Sequence, residues 1–140
     1  MVKKFYVYTC IWLDLLDDRK SGFNPLGEVA FQFLKNCSKH NCIVIVSELV
    51  KKELESYASN KEIESLFEPF LEQIVFPELS KKVIGEARLL KIKKSNTHLT
   101  DILHALVAKE QDCVMITRDK HFDVLSEIVK VQLPEEVSFE

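Results

Sequence analysis

The chain has 140 residues, of which 46% are hydrophobic and 29% charged, and its formal net charge is -3 at pH 7. These values predict an ordinary globular protein with a single domain over residues 1–140. They argue against a generally basic nucleic-acid coat, so any nucleic-acid contact must be local. The sequence has no apolar run near the roughly 20 residues that span a bilayer, and residues 1–4 lead directly into a predicted strand, so we expect a cytoplasmic protein with no membrane contact.

Strand-like and helix-like segments alternate along the chain. Runs of β-branched, aromatic and apolar residues predict strands at 5–9, 42–46, 73–76, 113–116 and 129–133. Apolar residues spaced three and four apart predict helices at 11–16, 26–39, 48–57, after 59–60, at 80–91, at 100–108 and through 125, with loops at 19–25 and 91–96. This alternation predicts an α/β fold, a three-layer α/β/α sandwich with a mostly parallel sheet of four or five strands.

Two aspartates are expected at one edge of this sheet. Asp119 follows the apolar strand 113–116, and ligands of open parallel sheets bind beyond the carboxyl ends of the strands. Thr100 is the predicted N-cap of the preceding helix, with Asp101 in its first turn. A short connection makes that helix antiparallel to the strand, which brings Asp101 to the same edge. Each aspartate alone could serve a helix dipole or a turn, but the pair indicates a site.

Several common chemistries are excluded at the level of motifs. The sequence contains neither GxGxxG, GxxxxGKS/T nor GxSxG, and it has only three glycines, which argues against dinucleotide, P-loop and serine-nucleophile sites. Its four cysteines lack CxxC spacing. Residues 37–42 could offer up to three soft ligands to zinc, but no fourth ligand is evident, and partly buried thiols are the favoured interpretation.

The carboxylates remain as the candidate chemistry. Glu53 lies in the helix after the second predicted strand, and we expect it at the same edge as Asp101 and Asp119. Carboxylates brought together repel one another, which raises their pKa or attracts a divalent cation. Oxygen ligands with positions left for water suit Mg²⁺ or Mn²⁺ that activates a water against a phosphodiester.

Four motifs carry a resemblance to a known family. They are Tyr8-Thr9-Cys10-Ile11-Trp12-Leu13, the segment Ser47 to Leu54, Asp101-x-x-His104-Ala105, and Thr117-x-Asp119-x-x-Phe122. Their order and spacing, from about residue 5 to 133, resemble a PIN domain, in particular the small prokaryotic toxins of the VapC type. The resemblance implies an α/β/α sandwich, Mg²⁺- or Mn²⁺-dependent ribonuclease activity, frequent homodimerisation and, for toxins, a protein antitoxin that inserts into the acidic groove.

The family's acidic residues carry over to three positions. Glu53 matches the glutamate of the helix after the second strand. Glu48 is a competitor that could instead serve the helix dipole, and Glu53 is favoured because Leu54 follows it, as in the family. Asp101 and Asp119 match the aspartates that open the central helix and follow the fourth strand. The resemblance therefore implies that Glu53, Asp101 and Asp119 are the catalytic and metal-binding residues.

Residues beside Asp119 are candidates for contact with the RNA substrate. The hydroxyl of Thr117 would support Asp119. Arg118 and Lys120 could meet phosphates, although either could be a surface charge. Asp123 is a further acidic candidate, for which exposure to solvent is the favoured interpretation.

Tyr8 departs from the family pattern, which has its first aspartate at this position. A phenol has an unperturbed pKa near 10, so it carries no charge at pH 7 and is a poor Mg²⁺ ligand. It is bulky enough to occupy the metal's place, which implies loss of metal affinity and hydrolysis. Asp14 is one helix away and badly placed to substitute. Tyr8 is either native, in a member kept for binding, or an alteration that makes a toxic nuclease easier to produce; the regular surrounding motif favours the second.

Three hypotheses about function follow. The first is a metal-dependent ribonuclease of the PIN family, and the second is a catalytically silent PIN scaffold that binds RNA or a protein partner. The third is another α/β module whose acidic edge is only a solvated surface. The aromatic residues Trp12, Phe23 and Phe31 could belong to a partner surface, but we expect each to be buried in the core.

Overall fold

A sheet of five parallel strands forms the centre of the protein, in a computed structural model that describes residues 2–140. The strands are β1 (Lys4–Val7), β2 (Ile43–Ile45), β3 (Ile74–Val75), β4 (Val114–Ile116) and β5 (Val131–Gln132). Their order is β3-β2-β1-β4-β5, and every neighbouring pair is parallel. The predicted α/β class and mostly parallel sheet are therefore confirmed.

Helices cover both faces of the sheet. They are α1 (Thr9–Asp17), α2 (Leu26–Lys39), α3 (Glu48–Leu54), α4 (Asn60–Phe67), α5 (Lys81–Lys93) and α6 (Leu99–Glu110), with 3₁₀ helices at Glu68–Gln73, Lys120–Leu125 and Pro134–Glu136. The chain runs from β1 to β3 in one direction and then returns to β4. Because parallel crossovers are right-handed, the return places α5 and α6 opposite α1 to α4. Within residues 2–140, each helix is too short or too polar to cross a lipid bilayer.

β1 lies in the middle of the sheet and aligns the strand ends that form the site. Tyr6 is in register with Ile45 of β2 and with Met115 of β4. The Trp12 indole, which is fully buried, donates a hydrogen bond from Nε1 to the Val7 carbonyl oxygen at 3.2 Å. The strand order reverses between β1 and β4, and such reversals are where open α/β sheets bind ligands. The segments that follow β1, β2 and β4 therefore meet at this switch point.

Residues 19–25 form a loop, as the sequence predicts. Ser21 and Asn24 exchange backbone hydrogen bonds of 2.9 Å, and Gly22 between them has φ of 60°. Phe23 at the tip is fully exposed, so the expectation that it is buried is wrong. Trp12 is buried as expected, whereas Phe31 remains 38% exposed beside Phe70.

The ends of two predicted elements also differ from the structure. Helix α6 begins at Leu99 with His98 as its N-cap, so Thr100 lies inside the first turn and does not cap the helix. The helix predicted after β4 is a 3₁₀ helix capped by Asp119, whose side chain accepts a hydrogen bond from the His121 amide. Short polar segments hold several possible caps, and the sequence does not decide which one is used.

Helices α1 and α2 meet at Gly27. Asp18, the C-cap residue that follows α1, has φ of 47°. A Cβ atom at Gly27 would lie 2.6 Å from the Asp18 Cα atom and 2.9 Å from the Asp14 carbonyl oxygen. Glycine is therefore required for this close approach of two backbones.

Candidate functional site

Tyr8 occupies the centre of the carboxyl edge of the sheet. Its amide donates to the Ile116 carbonyl oxygen at 3.0 Å, which ties the end of β1 to the end of β4. Its ring makes edge-to-face contacts with His104 and Phe122, with ring centroids 4.9 and 4.8 Å apart. These contacts fix the phenol ring, half-buried, at the switch point.

The charges of three carboxylates act on the Tyr8 phenol. Burial, followed by the negative charges of Glu53, Asp101 and Asp119, raises the pKa of Tyr8 well above its ordinary value. The side chain therefore stays neutral at pH 7 and contributes no charge. Glu53, Asp101 and Asp119, the three acidic residues predicted from the sequence, all act electrostatically on Tyr8.

Asp101 and Asp119 interact as a pair of like charges. Asp101 is 8% exposed in the first turn of α6, and burial together with the charge of Asp119 raises its pKa above the ordinary value. Asp119 is held where β4 ends, because its amide donates to Thr117 Oγ1 at 3.0 Å and its carboxylate accepts from the His121 amide at 2.9 Å. The Thr117 hydroxyl therefore orients the backbone at Asp119.

Glu53 is in a different environment from the two aspartates. Thr9 Oγ1 donates to Glu53 Oε1 at 2.6 Å, and His104 Nε2 is 3.0 Å from Glu53 Oε2. Burial acts to raise the pKa of Glu53, but the interactions with His104 and Thr9 outweigh it and hold the pKa below the usual value. Repulsion within a carboxylate cluster was the expectation for all three acids, and for Glu53 the structure shows stabilisation of the ionised form instead.

A hydrogen-bond chain continues from Glu53 into the core. Tyr6 Oη lies 2.6 Å from His104 Nδ1 and 2.6 Å from Ser47 Oγ, which accepts from the Val50 amide at 3.3 Å. An ionised Glu53 only accepts, so His104 Nε2 donates to it. On the other side of the ring, His104 Nδ1 and Tyr6 Oη share the next hydrogen bond, and Tyr6 Oη and Ser47 Oγ share the one after it. Each buried polar atom of this chain has a partner, as buried groups require.

This series of hydrogen bonds, from Glu53 to Ser47, is the part of the site that the sequence analysis did not predict. His104 appears in the motif that opens α6, but only as a spacing marker. Thr9, Ser47 and Tyr6 carry no expectation of a shared contact, because 98 residues separate Tyr6 from His104. Only the parallel pairing of β1 with its neighbours brings them together.

Arg118 belongs to a cluster of ion pairs with Asp14 and Glu135. Its guanidinium makes two hydrogen bonds to Glu135, at 3.1 and 2.9 Å, and Nε is 3.4 Å from Asp14 Oδ2. Burial raises the pKa of Asp14 while Arg118 opposes that rise. Its side chain is 18% exposed and already paired, so contact with a phosphate would require Arg118 to leave Glu135. Lys120 is exposed at the start of the following 3₁₀ helix.

The two alternative acidic residues lie outside this arrangement. Glu48 is exposed in the first turn of α3, where a carboxylate suits the helix dipole. Asp123 is exposed in the 3₁₀ helix after β4. Glu53, rather than Glu48, makes the contact with His104.

The donor set does not fit a Mg²⁺ or Mn²⁺ ion in the chain as sequenced. Among residues 2–140, no three His, Cys, Asp or Glu side chains are close enough to hold a metal ion together. Glu53 is engaged by Thr9 and His104, and the end of β1 supplies the neutral phenol of Tyr8. A hard divalent cation needs oxygen ligands in its coordination sphere, and a neutral phenol is a poor one.

A cavity of about 420 Å³ opens beside Tyr8. It lies between α1 and the segment that follows α3, and Tyr8, Thr9, Arg19, Glu53 and Tyr57 contribute to its walls. Glu53 is therefore shared between the buried hydrogen-bond chain and an accessible space.

The fold is shared with several solved structures, three of which follow. A chain of VapBC2 from Rickettsia felis, solved with a DNA fragment from its promoter, is 20% identical with a TM-score of 0.69, and the match covers 93% of this chain and 98% of that one. A toxin–antitoxin complex from Klebsiella pneumoniae is 18% identical with a TM-score of 0.65, and the match covers 94% of this chain and 97% of that one. FitAcB from Neisseria gonorrhoeae is 16% identical with a TM-score of 0.62, and the match covers 95% of this chain and 99% of that one.

These likenesses establish the fold. The expected PIN-like, VapC-like architecture is confirmed at that level, over nearly the full length of each chain. No family model matches the sequence, and no curated protein matches it. At these identities, function must be argued from the site itself.

Proposed function

We propose that the chain is a toxin–antitoxin type PIN protein, built on the scaffold of a Mg²⁺- or Mn²⁺-dependent ribonuclease, whose hydrolytic site is closed by Tyr8. The observation that carries the proposal is the position of the Tyr8 ring, which is half-buried at the switch point and held by edge-to-face contacts with His104 and Phe122. The charges of Glu53, Asp101 and Asp119 act on the phenol there. The fold likeness to toxin–antitoxin complexes supports the type of protein.

Tyrosine at residue 8 closes the site for two physical reasons: it lacks the negative charge of an aspartate, and its ring fills space that an aspartate would leave open. An aspartate at residue 8 would add a fourth carboxylate beside Glu53, Asp101 and Asp119, and their repulsion would favour a divalent cation. A tyrosine adds no charge and fills the space at the end of β1 with a ring. The remaining pair, Asp101 and Asp119, relieves its repulsion by a raised pKa on Asp101.

Replacement of Tyr8 by aspartate tests the proposal. We expect Tyr8→Asp to gain Mn²⁺ binding in isothermal titration and Mn²⁺-dependent cleavage of a labelled single-stranded RNA, both abolished by EDTA. The matched control is Tyr8→Asn, which opens the same space without the charge and should not gain cleavage. Asp101→Asn in the Tyr8→Asp background should remove the gained activity.

Two results would contradict the proposal. A folded Tyr8→Asp variant that neither binds Mn²⁺ nor cleaves RNA would show that the carboxylates do not form a latent metal site. EDTA-sensitive cleavage by the unaltered chain would show that Tyr8 does not close it. Purification through denaturation and refolding removes contaminating ribonuclease from both measurements.

A protein antitoxin and a second copy of the chain are the proposed partners. The solved structures that share the fold include toxin–antitoxin complexes, which supports a protein partner. Sedimentation velocity should give twice the mass of one chain if the homodimer forms. Co-expression with the protein encoded beside it should give a stable complex, and separate elution of the two would contradict this assignment.

A further inference from the structure

The cavity beside Tyr8 has features that the closed hydrolytic site does not use. Its volume, about 420 Å³, falls within the roughly 300–1,000 Å³ typical of small-molecule pockets. Tyr8 and Tyr57 both contribute to its walls, and Tyr57 is 65% exposed. Arg19 supplies a cation and Glu53 a carboxylate at the same cavity. It therefore combines aromatic surface, a cation and a hydrogen-bond acceptor.

We propose that this cavity binds one unstacked base of a single-stranded RNA without a metal ion. The inference rests on the proposed function only in taking RNA as the ligand. Its chemistry differs from that of hydrolysis, because aromatic stacking replaces metal coordination as the means by which the strand is held.

Stacking is the first part of the argument. Single-stranded RNA is recognised chiefly through splayed bases that stack on aromatic side chains. The Tyr8 ring is fixed by edge contacts with His104 and Phe122, so little ordering is needed when a base enters. Tyr57 lies in the turn after α3 and offers a second ring at the same cavity.

Charge and hydrogen bonding favour a nucleotide over an aromatic side chain of a protein. Arg19 is paired with Asp17 at 3.2 Å, and both side chains are substantially exposed, 40% and 51%. Such surface pairs contribute little free energy, so the Arg19 guanidinium can exchange Asp17 for a phosphate. Glu53 is hydrogen-bonded to Thr9 and His104, but its carboxylate remains 28% exposed in the cavity wall, and its remaining lone pairs can accept from the N–H groups on a base edge.

The test measures RNA binding in EDTA. A fluorescein-labelled single-stranded decanucleotide RNA is titrated with the unaltered chain and with variants of Tyr57, and fluorescence anisotropy is read. We expect Tyr57→Leu to bind roughly tenfold more weakly, because stacking of one base contributes on the order of 1–3 kcal/mol. Tyr57→Phe keeps the ring and should bind within twofold. Phe23→Leu, which removes a more accessible ring outside the cavity walls, should not change binding.

Each outcome decides the proposal. Loss of affinity in Tyr57→Leu but not in Tyr57→Phe supports it, with thermal melts confirming that the exposed substitution leaves the fold intact. The proposal is overturned if Tyr57→Leu binds the RNA as tightly as the unaltered chain, or if the unaltered chain does not bind the RNA in EDTA. Absence of RNA binding together with protection of Tyr57 by a co-expressed protein partner would assign the cavity to a protein and also overturn it. A gain of cleavage by Tyr8→Asp would leave the proposed function standing in each of these cases.

Discussion

Replacement of Tyr6 by phenylalanine isolates the energetic contribution of the buried hydrogen-bond chain. Tyr6 is fully buried, and its hydroxyl bridges His104 Nδ1 and Ser47 Oγ at 2.6 Å each. Phenylalanine keeps the ring and removes only that oxygen. Ser47 still accepts from the Val50 amide, but the change leaves His104 Nδ1 without its partner in the protein interior.

The expected loss of stability is about 2 kcal/mol. A typical buried hydrogen bond contributes about 1 kcal/mol net, and a buried polar atom left unmet costs about 1–3 kcal/mol. The unfolding entropy is about 2.1 cal/mol/K per residue. For a chain of 140 residues, 1 kcal/mol therefore changes the melting temperature by about 3–4 °C. We expect Tyr6→Phe to melt about 7 °C below the unaltered chain.

Urea denaturation and calorimetry measure this loss directly. The matched control is Tyr57→Phe, which removes the hydroxyl of a tyrosine that is 65% exposed and should change stability by less than about 0.5 kcal/mol. An unchanged slope against urea would show that the change acts on stability and not on the denatured state. Equal midpoints for Tyr6→Phe and the unaltered chain would refute the reasoning, because the bridge would then contribute nothing to folding.

Asp101→Asn should raise the urea midpoint at pH 7. The pKa of Asp101 is raised by burial and by Asp119, so the native state binds its proton more tightly than the unfolded state and stability falls as pH rises through the raised pKa. The gain should disappear below about pH 3.9, where the unfolded carboxyl is also protonated, and a gain that persists there would contradict this assignment. Gly27→Ala should cost about 2 kcal/mol, because the added Cβ would lie 2.6 Å from the Asp18 Cα atom. Gly85→Ala, in open space on α5, should be stabilising by about 0.5–1 kcal/mol in the same urea titration, and equal effects of the two alanines would exclude the steric explanation.

The sequence predicts the main elements well because their signals are local. Helix α2 is predicted at 26–39 and observed at Leu26–Lys39, where Pro25 precedes a regular amphipathic pattern. Strand β4, predicted at 113–116, begins one residue later. Periodic apolar residues decide which face is buried, and that decision fixes the type of element. The exact first turn of α6 depends on a choice among neighbouring polar residues, which the pattern does not make.

The exposure of Phe23 shows where composition misleads. An aromatic residue usually indicates burial, but Phe23 lies in a four-residue turn closed by Ser21 and Asn24. A turn that short cannot fold its own side chains back onto a core. The exposure follows from the backbone geometry of the turn.

For the site as well, contacts between residues near in sequence could be predicted, and contacts between distant residues could not. The proximity of Asp101 and Asp119 follows from an antiparallel helix and strand joined by a short connection, which the sequence shows directly. The partners of Glu53 lie 44 and 51 residues away, at Thr9 and His104, and no sequence pattern joins them. Arg118 was a phosphate candidate by its position, but Glu135, 17 residues on, engages it.

The central position of β1 has a consequence for synthesis of the protein on the ribosome. Residues 5–7 pair with residues 114–116, so the first strand made obtains its second neighbour only when most of the polypeptide has been translated. Contacts this distant in the chain form late. A nascent or prematurely terminated product therefore lacks the β1–β4 pairing that positions residues 8, 101 and 119 at the sheet edge. Any activity of that edge would begin only when translation is almost finished.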